Sequence, residues 1–179
     1  KLVCTTVVTE TQGGTLEKVS NGALTNIFDN EFNSKTAPFD IFDNNPNGSH
    51  DTIVVPDVGT ALSLSVLLEL ENSGINHVRV ELLDPKGNKY VLYNKSSSGT
   101  KLLATFPSPV KPVSGDLAAW VGQNPKGNWK LSVYDTLFKN NAVDGRVVRW
   151  TIAVQTKSNS KLQVKGDLVV GGQVFSAKT

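Results

Sequence analysis

The sequence predicts an all-β protein. Apolar and polar residues alternate with a period of two in several separate runs, which is typical of strands with one buried face. Clusters of Gly, Pro, Asn and Ser lie between these runs and favour turns. Helical periodicity is hard to find along the 179 residues. We therefore expect one sizeable β domain with a shorter appendage.

The clearest alternation lies in "ALSLSVLLELEN", residues 61–72. Successive strand side chains point to opposite faces, so we expect its even-numbered apolar residues to point inward. These residues are Leu62, Leu64, Val66, Leu68 and Leu70. The run "HVRVELLDPKGNKYVLYN", residues 77–94, predicts a hairpin around Asp84-Pro85-Lys86-Gly87, because Pro presets φ and Gly tolerates a positive φ.

Two more buried strands are predicted near the end of the chain. "NWKLSVYD" and "RVVRWTIAVQ" are expected to point these residues inward: Trp129, Leu131, Val133, Val148, Trp150, Ile152 and Val154. The ten residues 136–145 that join them exceed the roughly two to five of a usual hairpin loop. A connection of this length indicates a functional loop or a crossing between sheets.

Composition divides the chain into three parts. Residues 1–37 are weakly patterned and predict an N-terminal arm or a partner strand. Residues 38–158 hold the strong strand patterns, within which the proline-bearing residues 101–125 predict an irregular covering segment. Residues 159–179 space apolar residues by glycines and are too short to bury their own face. They predict the start of a following β-rich element or an oligomerisation segment.

The net charge, the cysteine count and the length of the apolar runs argue against several classes of partner and site. A net charge of +2 gives no electrostatic case for nucleic acid or for an anionic membrane. The single cysteine, Cys4, rules out an internal disulfide and a two-thiol metal site. No run approaches the roughly 18 to 20 apolar residues that span a bilayer, so we expect a soluble domain without membrane insertion. Because methionine is absent even at residue 1, we expect a processed product or a piece of a longer polypeptide.

Ser49, His50 and Asp51 are the residue types of a hydrolase triad, but their spacing argues against one. Consecutive side chains diverge, whereas nucleophile, base and orienting acid normally come from distant parts of a chain. With two histidines in the whole sequence, a His-rich metal site is also disfavoured. We expect no enzymatic activity, and a hydrolase fragment is kept only as the second alternative.

The stretch "DNNPNGSHD", Asp43–Asp51, has the spacing of the front half of a calcium loop. Oxygen-bearing side chains occupy its first, third, fifth and ninth places: Asp43, Asn45, Asn47 and Asp51. Alternating oxygens can wrap a hard cation, and Gly48 at the sixth place allows the sharp bend. Val54 stands where an EF-hand has glutamate, so this is no EF-hand. A tight turn uses the same residue types, and that alternative remains open.

Asp135 and Asp144 flank the long loop and form a second candidate calcium set with Asn140 and Asn141. An acid/base role would require a cleft and substrate-positioning groups, for which the sequence gives no signal. A simple turn at Asp144-Gly145 into the last strand is the other interpretation of this loop, and it stays open.

Four stretches in order resemble the P domain, or Homo B domain, of the subtilisin-like proprotein convertases and their bacterial relatives. "GNWKLSVYD" and "DGRVVRWTIAV" are similar to the family's G-x-W-x-L-x-V-x-D and D-x-G-x-L-x-x-W-x-L run, with Asp-Gly adjacent here. "VELLDPKGNKYVLY" looks like its strand, Pro-x-Gly turn and return strand, and "FDIFDNNPNGSHDTIVV" like its Ile-Pro-Asp segment, with Phe42 in place of proline. The resemblance covers about residues 38–156.

The resemblance implies a jelly-roll β-sandwich of the galactose-binding-domain-like kind, with residues 159–179 as a short C-terminal β extension. It also implies a module without catalysis that packs against a neighbouring protease domain. Calcium binding in the loops of some bacterial members makes Asp43, Asp135 and Asp144 stronger candidates. Where the family has Leu-Thr-His, this chain has Leu70-Glu71-Asn72, so the details of that rim do not transfer.

We therefore expect a calcium-stabilised, non-catalytic accessory module of a secreted or cell-surface bacterial protein. It would stabilise or display a neighbouring domain of the same polypeptide or another protein, and its C-terminal tail would allow oligomerisation. The Gly-spaced tail favours a module mounted on a surface or fibrous assembly over the end of a protease. The first alternative is a carbohydrate-binding module that presents Trp120 and the tyrosines to a glycan.

Overall fold

The computed structural model describes residues 14–18 and 24–158 and confirms an all-β sandwich. The strands of this part are β1 (Gly14–Lys18), β2 (Leu24–Asn33), β3 (Phe39–Phe42), β4 (Ser49–Val55), β5 (Thr60–Asn72), β6 (Val78–Leu83), β7 (Lys89–Asn94), β8 (Lys101–Phe106), β9 (Gly127–Asp135) and β10 (Val143–Ser158). Two short 3₁₀ helices, Ile75–His77 and Leu117–Trp120, complete it. Neither helix is long enough or apolar enough to cross a membrane. The predicted extension at residues 159–179 lies outside the described residues.

The strands form two antiparallel sheets that pack face to face. The six-stranded sheet has the order β1-β2-β10-β5-β8, and β3 also pairs with β10. The four-stranded sheet has the order β4-β9-β6-β7. Trp129 of the four-stranded sheet and Trp150 of the six-stranded sheet are both fully buried, as the alternation predicts. The core therefore lies between the two inner faces, where burial of apolar surface drives the sheets together.

The β6–β7 hairpin is confirmed. These strands pair antiparallel, and the Gly87 N–H donates to the Asp84 carbonyl oxygen at 3.0 Å. Gly87 has a φ of 84°, a left-handed conformation in which glycine is favoured. The turn chemistry of Pro85 and Gly87 thus sets the register of the two strands.

Two predicted inward residues are wrong, and β-bulges explain both. Leu62 is 36% exposed and Val148 is only half-buried, while their neighbours Ala61 and Val147 are fully buried. The β10–β5 pairing shifts register beside each of these positions. A bulge inserts one extra residue, so the side chains beyond it change face.

The irregular segment predicted for residues 101–125 contains a strand. Its first residues form β8, which pairs with β5 at the edge of the six-stranded sheet and buries Phe106. Nearer the start of the sequence, β2 pairs with β10 in the same sheet. Part of the predicted N-terminal segment therefore lies within the six-stranded sheet. The domain boundaries themselves stay predictions.

The loop at residues 136–142 crosses between the sheets. It leaves β9 in the four-stranded sheet and enters β10 in the six-stranded sheet, so the last two strands do not form a hairpin. This crossing brings the end of β9 close to the start of β10 at one end of the sandwich. The candidate site lies there.

The carboxylate of Asp84, which directly follows β6, is a buried hydrogen-bond acceptor of the four-stranded sheet. It is 3% exposed, and it accepts hydrogen bonds from the backbone N–H of Lys86 and Asn88, both at 2.8 Å. It also accepts from the Asn88 side chain at 2.9 Å, the Tyr90 hydroxyl at 2.9 Å and the Trp120 indole at 3.2 Å. Burial acts to raise the pKa of Asp84, but these donors outweigh it, and the pKa lies below its ordinary value. Burial, then the bond to Asp84, raises the pKa of Tyr90 to about 12.

Replacing Asp84 by Ala is expected to destabilise the fold by about 2–4 kcal/mol, because the buried hydroxyl and indole donors lose their acceptor. Urea unfolding at pH 7 measures this. The exposed helix cap Asp116, whose carboxylate accepts from the Ala118 N–H, provides the control. Asp116→Ala should cost about 1 kcal/mol or less. Equal losses in the two variants would contradict the role of the buried network.

The same variant predicts a pH dependence. The pKa of Asp84 is lower in the folded than in the unfolded chain, so its stabilising contribution is fully present above the unfolded value, about 3.9. That contribution is lost as the pH falls through the folded pKa. The stability difference between wild type and Asp84→Ala should therefore be constant from pH 5 to 7 and shrink below about pH 4.

Candidate metal site

Three carboxylates converge at the end of the sandwich where the chain changes sheets. One oxygen from each of Asp43, Asp135 and Asp144 lies within 4.8 Å of the other two. Asp43 follows β3, Asp135 ends β9 and Asp144 lies at the start of β10. The two candidate loops of the sequence therefore contribute to one group, which we call the carboxylate cluster. It joins segments of both sheets.

Asp43 organises the crossing loop. Both of its carboxylate oxygens accept from the Lys139 N–H at 3.0 Å, and Oδ2 also accepts from the Asn141 N–H at 3.0 Å. Between these two amides, Asn140 has a φ of 60°, a left-handed conformation that asparagine tolerates better than most residues. The bend at Asn140 thus directs both amides to one carboxylate.

Asp135 is the buried member of the cluster, at 3% exposure. Its Oδ1 accepts from the Leu137 N–H at 2.8 Å and its Oδ2 from the Asn72 side-chain amide at 2.9 Å. Burial is the largest influence and raises the pKa of Asp135, and the neighbouring Asp144 carboxyl raises it further. The hydrogen bonds from Leu137 and Asn72 lower the pKa without cancelling this rise. The charged form of Asp135 is thus destabilised.

Asp144 is half-buried beside it. Its Oδ2 accepts from the Ser73 hydroxyl at 2.5 Å and its Oδ1 from the Asn141 side-chain amide at 3.2 Å. Among the described residues, no Lys or Arg nitrogen lies within 4.0 Å of any of the three carboxylates. Negative charges gathered in a partly buried place are costly without a compensating cation.

The cluster fits a calcium ion. Calcium binds oxygens at about 2.3–2.6 Å, so two ligands on opposite sides of one ion lie up to about 5 Å apart. The 4.8 Å span of Asp43, Asp135 and Asp144 is within this limit. Three carboxylates would supply part of the roughly six to eight oxygens that calcium takes, and backbone carbonyls or water would supply the others.

The other predicted ligands make hydrogen bonds of their own, and their part in a metal site stays a prediction. The Asn45 side chain accepts from the Asn47 N–H at 2.9 Å, and the Gly48 N–H donates to the Asn45 carbonyl, so these residues build a turn. Asp51 is not part of the carboxylate cluster. It accepts from the Trp150 indole and the Ser34 hydroxyl, both at 2.6 Å. Burial opposes these bonds, which nevertheless hold the pKa of Asp51 below its ordinary value.

The neighbouring triad-like residues do not form a catalytic group. Ser49 and Asp51 are buried on the inner side of β4, whereas His50 is exposed on its outer side. The His50 ring nitrogen Nδ1 lies 2.9 Å from the Ser132 hydroxyl instead. Consecutive side chains of a strand point to opposite faces, so His50 lies on the other face of β4 from Ser49 and Asp51.

Exposed apolar side chains adjoin the cluster. Phe42 and Val143, which directly precede Asp43 and Asp144, are 47% and 38% exposed and face each other across the β3–β10 pair. Phe138, 65% exposed, lies between the two anchored residues Leu137 and Lys139. We call Phe42, Phe138 and Val143 the apolar rim. A groove of about 440 Å³ begins beside the apolar rim, and its lining includes Asn72, Val143 and Asp144.

Trp120 and two of the three tyrosines are buried, so they do not form the exposed aromatic platform expected for a glycan. Trp120 is 2% exposed, its ring packs on Trp129 with centroids 5.0 Å apart, and its indole donates to Asp84. Tyr90 and Tyr93 are 5% and 4% exposed, and Tyr134 is half-buried. The proline-bearing residues predicted an irregular covering segment, and the indole of Trp120 within it completes the buried network around Asp84.

Comparison with known proteins identifies the relationship. The profile of the proprotein convertase P-domain family matches residues 62–154, from β5 into β10. P domains are non-catalytic accessory domains. No curated protein sequence matches the chain.

Several solved structures are similar in part. The serine protease of Aeromonas sobria has 13% identity and a TM-score of 0.47, over 79% of this chain and 33% of that chain. The complex of this protease with its chaperone gives 12% identity and a TM-score of 0.48, over 82% and 37%. The CBM36-1 domain of a xylanase from the hindgut metagenome of Trinervitermes trinervoides gives 13% and 0.35, over 69% and 95%. The chain thus spans about a third of the length of the protease chains.

The family match begins at the bulged start of β5, includes the confirmed β6–β7 hairpin, β9 and most of β10, and extends over more than half of the sequence. The chain belongs to the proprotein convertase P-domain family.

Proposed function

We propose that this chain is a calcium-stabilised, non-catalytic accessory module that stabilises or displays a partner domain of a secreted bacterial protein. The observation that carries the calcium proposal is the convergence of Asp43, Asp135 and Asp144 from three segments of two sheets. Family membership supports the accessory role.

A bound calcium ion would supply positive charge and fixed coordination at this place. Asp43 would attach the segment after β3, Asp135 the end of β9 and Asp144 the start of β10. Calcium binds the folded arrangement and not the dispersed carboxylates of the unfolded chain, so binding would add directly to the free energy of unfolding.

The apolar rim supports a partner-binding role for the same end of the sandwich. Three large apolar side chains gathered beside a polar groove form a surface that suits a protein partner better than bulk water. The partner would be a neighbouring domain of the same polypeptide or another protein. The family suggests a neighbouring protease domain as this partner.

Calcium is expected to raise the thermal midpoint of unfolding. At a hundredfold excess over its dissociation constant, a ligand that binds only the folded state adds about 2.7 kcal/mol. For a domain of this size the midpoint should rise by on the order of 5–10 °C. Differential scanning calorimetry in calcium and in chelator measures the shift. Identical midpoints in the two conditions would remove the calcium site from the proposal.

Asp144→Asn is expected to act in opposite directions with and without calcium. In chelator, the variant should be more stable than wild type, because the like-charge repulsion on Asp135 is relieved. In calcium, it should be less stable than wild type, because a ligand is lost. Urea unfolding of both proteins in both conditions checks the reversal of sign.

Asp57→Asn is the matched control for this reversal. Asp57 is exposed and accepts from the Asn124 amide at 2.7 Å, away from the cluster. Its substitution should leave the calcium response unchanged. A loss of stability for Asp144→Asn in chelator as large as that in calcium would indicate a hydrogen-bonding role alone.

The double variant Phe42→Ser, Phe138→Ser tests the partner surface. Both side chains are exposed, so the isolated module should keep its stability within about 0.5 kcal/mol per substitution. In the parent polypeptide, the neighbouring domain should become more sensitive to limited proteolysis. Val54→Ser with Leu103→Ser, at positions 65% and 63% exposed elsewhere, is the control. An unchanged proteolysis rate in the rim variant would refute the assignment of the surface.

A further inference from the structure

Two adjacent residues at the end of β5 donate hydrogen bonds to two different members of the carboxylate cluster. The Asn72 amide donates to Asp135 Oδ2 at 2.9 Å, and the Ser73 hydroxyl donates to Asp144 Oδ2 at 2.5 Å. Asn72 is 5% exposed, whereas Ser73 is exposed. One short segment therefore contacts a carboxylate from each sheet.

The surrounding bonds fix the orientation of both donors. Asn72 Oδ1 accepts from the Gly74 N–H at 2.8 Å, so the amide nitrogen of Asn72 must face Asp135. The Ser73 backbone N–H donates to the Asp144 carbonyl at 3.1 Å, which places the Ser73 hydroxyl beside that residue's carboxylate. A Cβ at Gly145 would lie 2.9 Å from Asn72 Cα, so β10 and the end of β5 are in close contact. The two donors are held by the backbone.

We propose that Asn72 and Ser73 are positioning residues of the calcium site, which hold the Asp135 and Asp144 carboxylates in the orientation that binds the cation. This inference rests on the proposed calcium site. Each donor occupies one lone pair of a carboxylate oxygen and leaves the other free for a cation. Both donors are neutral, so they orient the carboxylates without cancelling the negative charge that attracts the ion.

A basic side chain in the same place would have the opposite effect. Lys or Arg would stabilise the calcium-free cluster by charge neutralisation and would compete with the cation. The basic side chains of the adjoining groove, Lys101 and Arg146, are instead paired with Glu71, at 2.8 and 3.1 Å. The side chains that contact the cluster from this segment are therefore neutral donors.

Titration calorimetry with calcium chloride tests the proposal. Partners that orient metal ligands typically contribute about 10–100-fold to affinity. We expect Asn72→Ala and Ser73→Ala to bind calcium about tenfold or more weakly than wild type. Ser73→Thr keeps the hydroxyl at an exposed position and should restore the wild-type affinity. All variants are measured at a temperature where their circular dichroism in chelator is that of the folded protein.

Asn124→Ala is the matched control, because it removes the same kind of bond, from the Asn124 amide to Asp57 at 2.7 Å, away from the cluster. Its calcium affinity should equal that of wild type. If wild type binds no calcium, the proposed function fails and this inference fails with it. If wild type binds but Asn72→Ala and Ser73→Ala bind equally well, the positioning role alone is overturned. Equal weakening by Ser73→Ala and Ser73→Thr would also overturn it, since the hydroxyl would not be the cause.

Discussion

The structure depends on the burial of tryptophans in the core, because each buried indole N–H requires an acceptor inside the fold. Trp129 donates to the Pro125 carbonyl at 2.9 Å, Trp150 to Asp51 at 2.6 Å, and Trp120 to Asp84 at 3.2 Å. Two of these three acceptors are carboxylates, which are buried because they satisfy the indole N–H groups of core tryptophans. Acidic residues in the interior are therefore not in themselves signs of a functional site.

The balance of donors distinguishes the structural carboxylates from those of the candidate site. Asp51 and Asp84 are surrounded by hydroxyl, indole and amide donors, and the pKa of each is lowered despite burial. Asp135 is as buried as Asp84, but it lies beside another carboxyl, and its pKa is raised. A group whose folded pKa is raised loses its contribution to stability as the pH rises through that value, the reverse of Asp84. In its charged form the cluster therefore costs folding free energy, which a bound cation would recover.

The sequence predicted the parts of the fold that follow local periodicity. Alternation identified the buried faces of β6, β7 and β9 and the tryptophans at the centre, since side-chain direction in a strand is set by position alone. It failed at Leu62 and Val148, because a bulge changes the face without changing composition. Asp43 and Asp144 were predicted in separate loops, because the pairing of β3 with β10 that brings them together is long-range. No sequence pattern indicated that Asn72 contacts a carboxylate, because this contact depends on its hydrogen bonds with Gly74 and Asp135.

The position of the cluster follows from the topology. Two sheets of a sandwich share no backbone hydrogen bonds across the core, so side-chain packing and crossing connections hold them together. The loop at residues 136–142 is such a crossing, and its amides at Lys139 and Asn141 are already tied to Asp43. The end of β5 reaches the same place through Asn72 and contacts Asp135 of the opposite sheet. A cation here would link both sheets where the backbone ladder cannot, which is why a single bound ion would stabilise the whole module and not one loop.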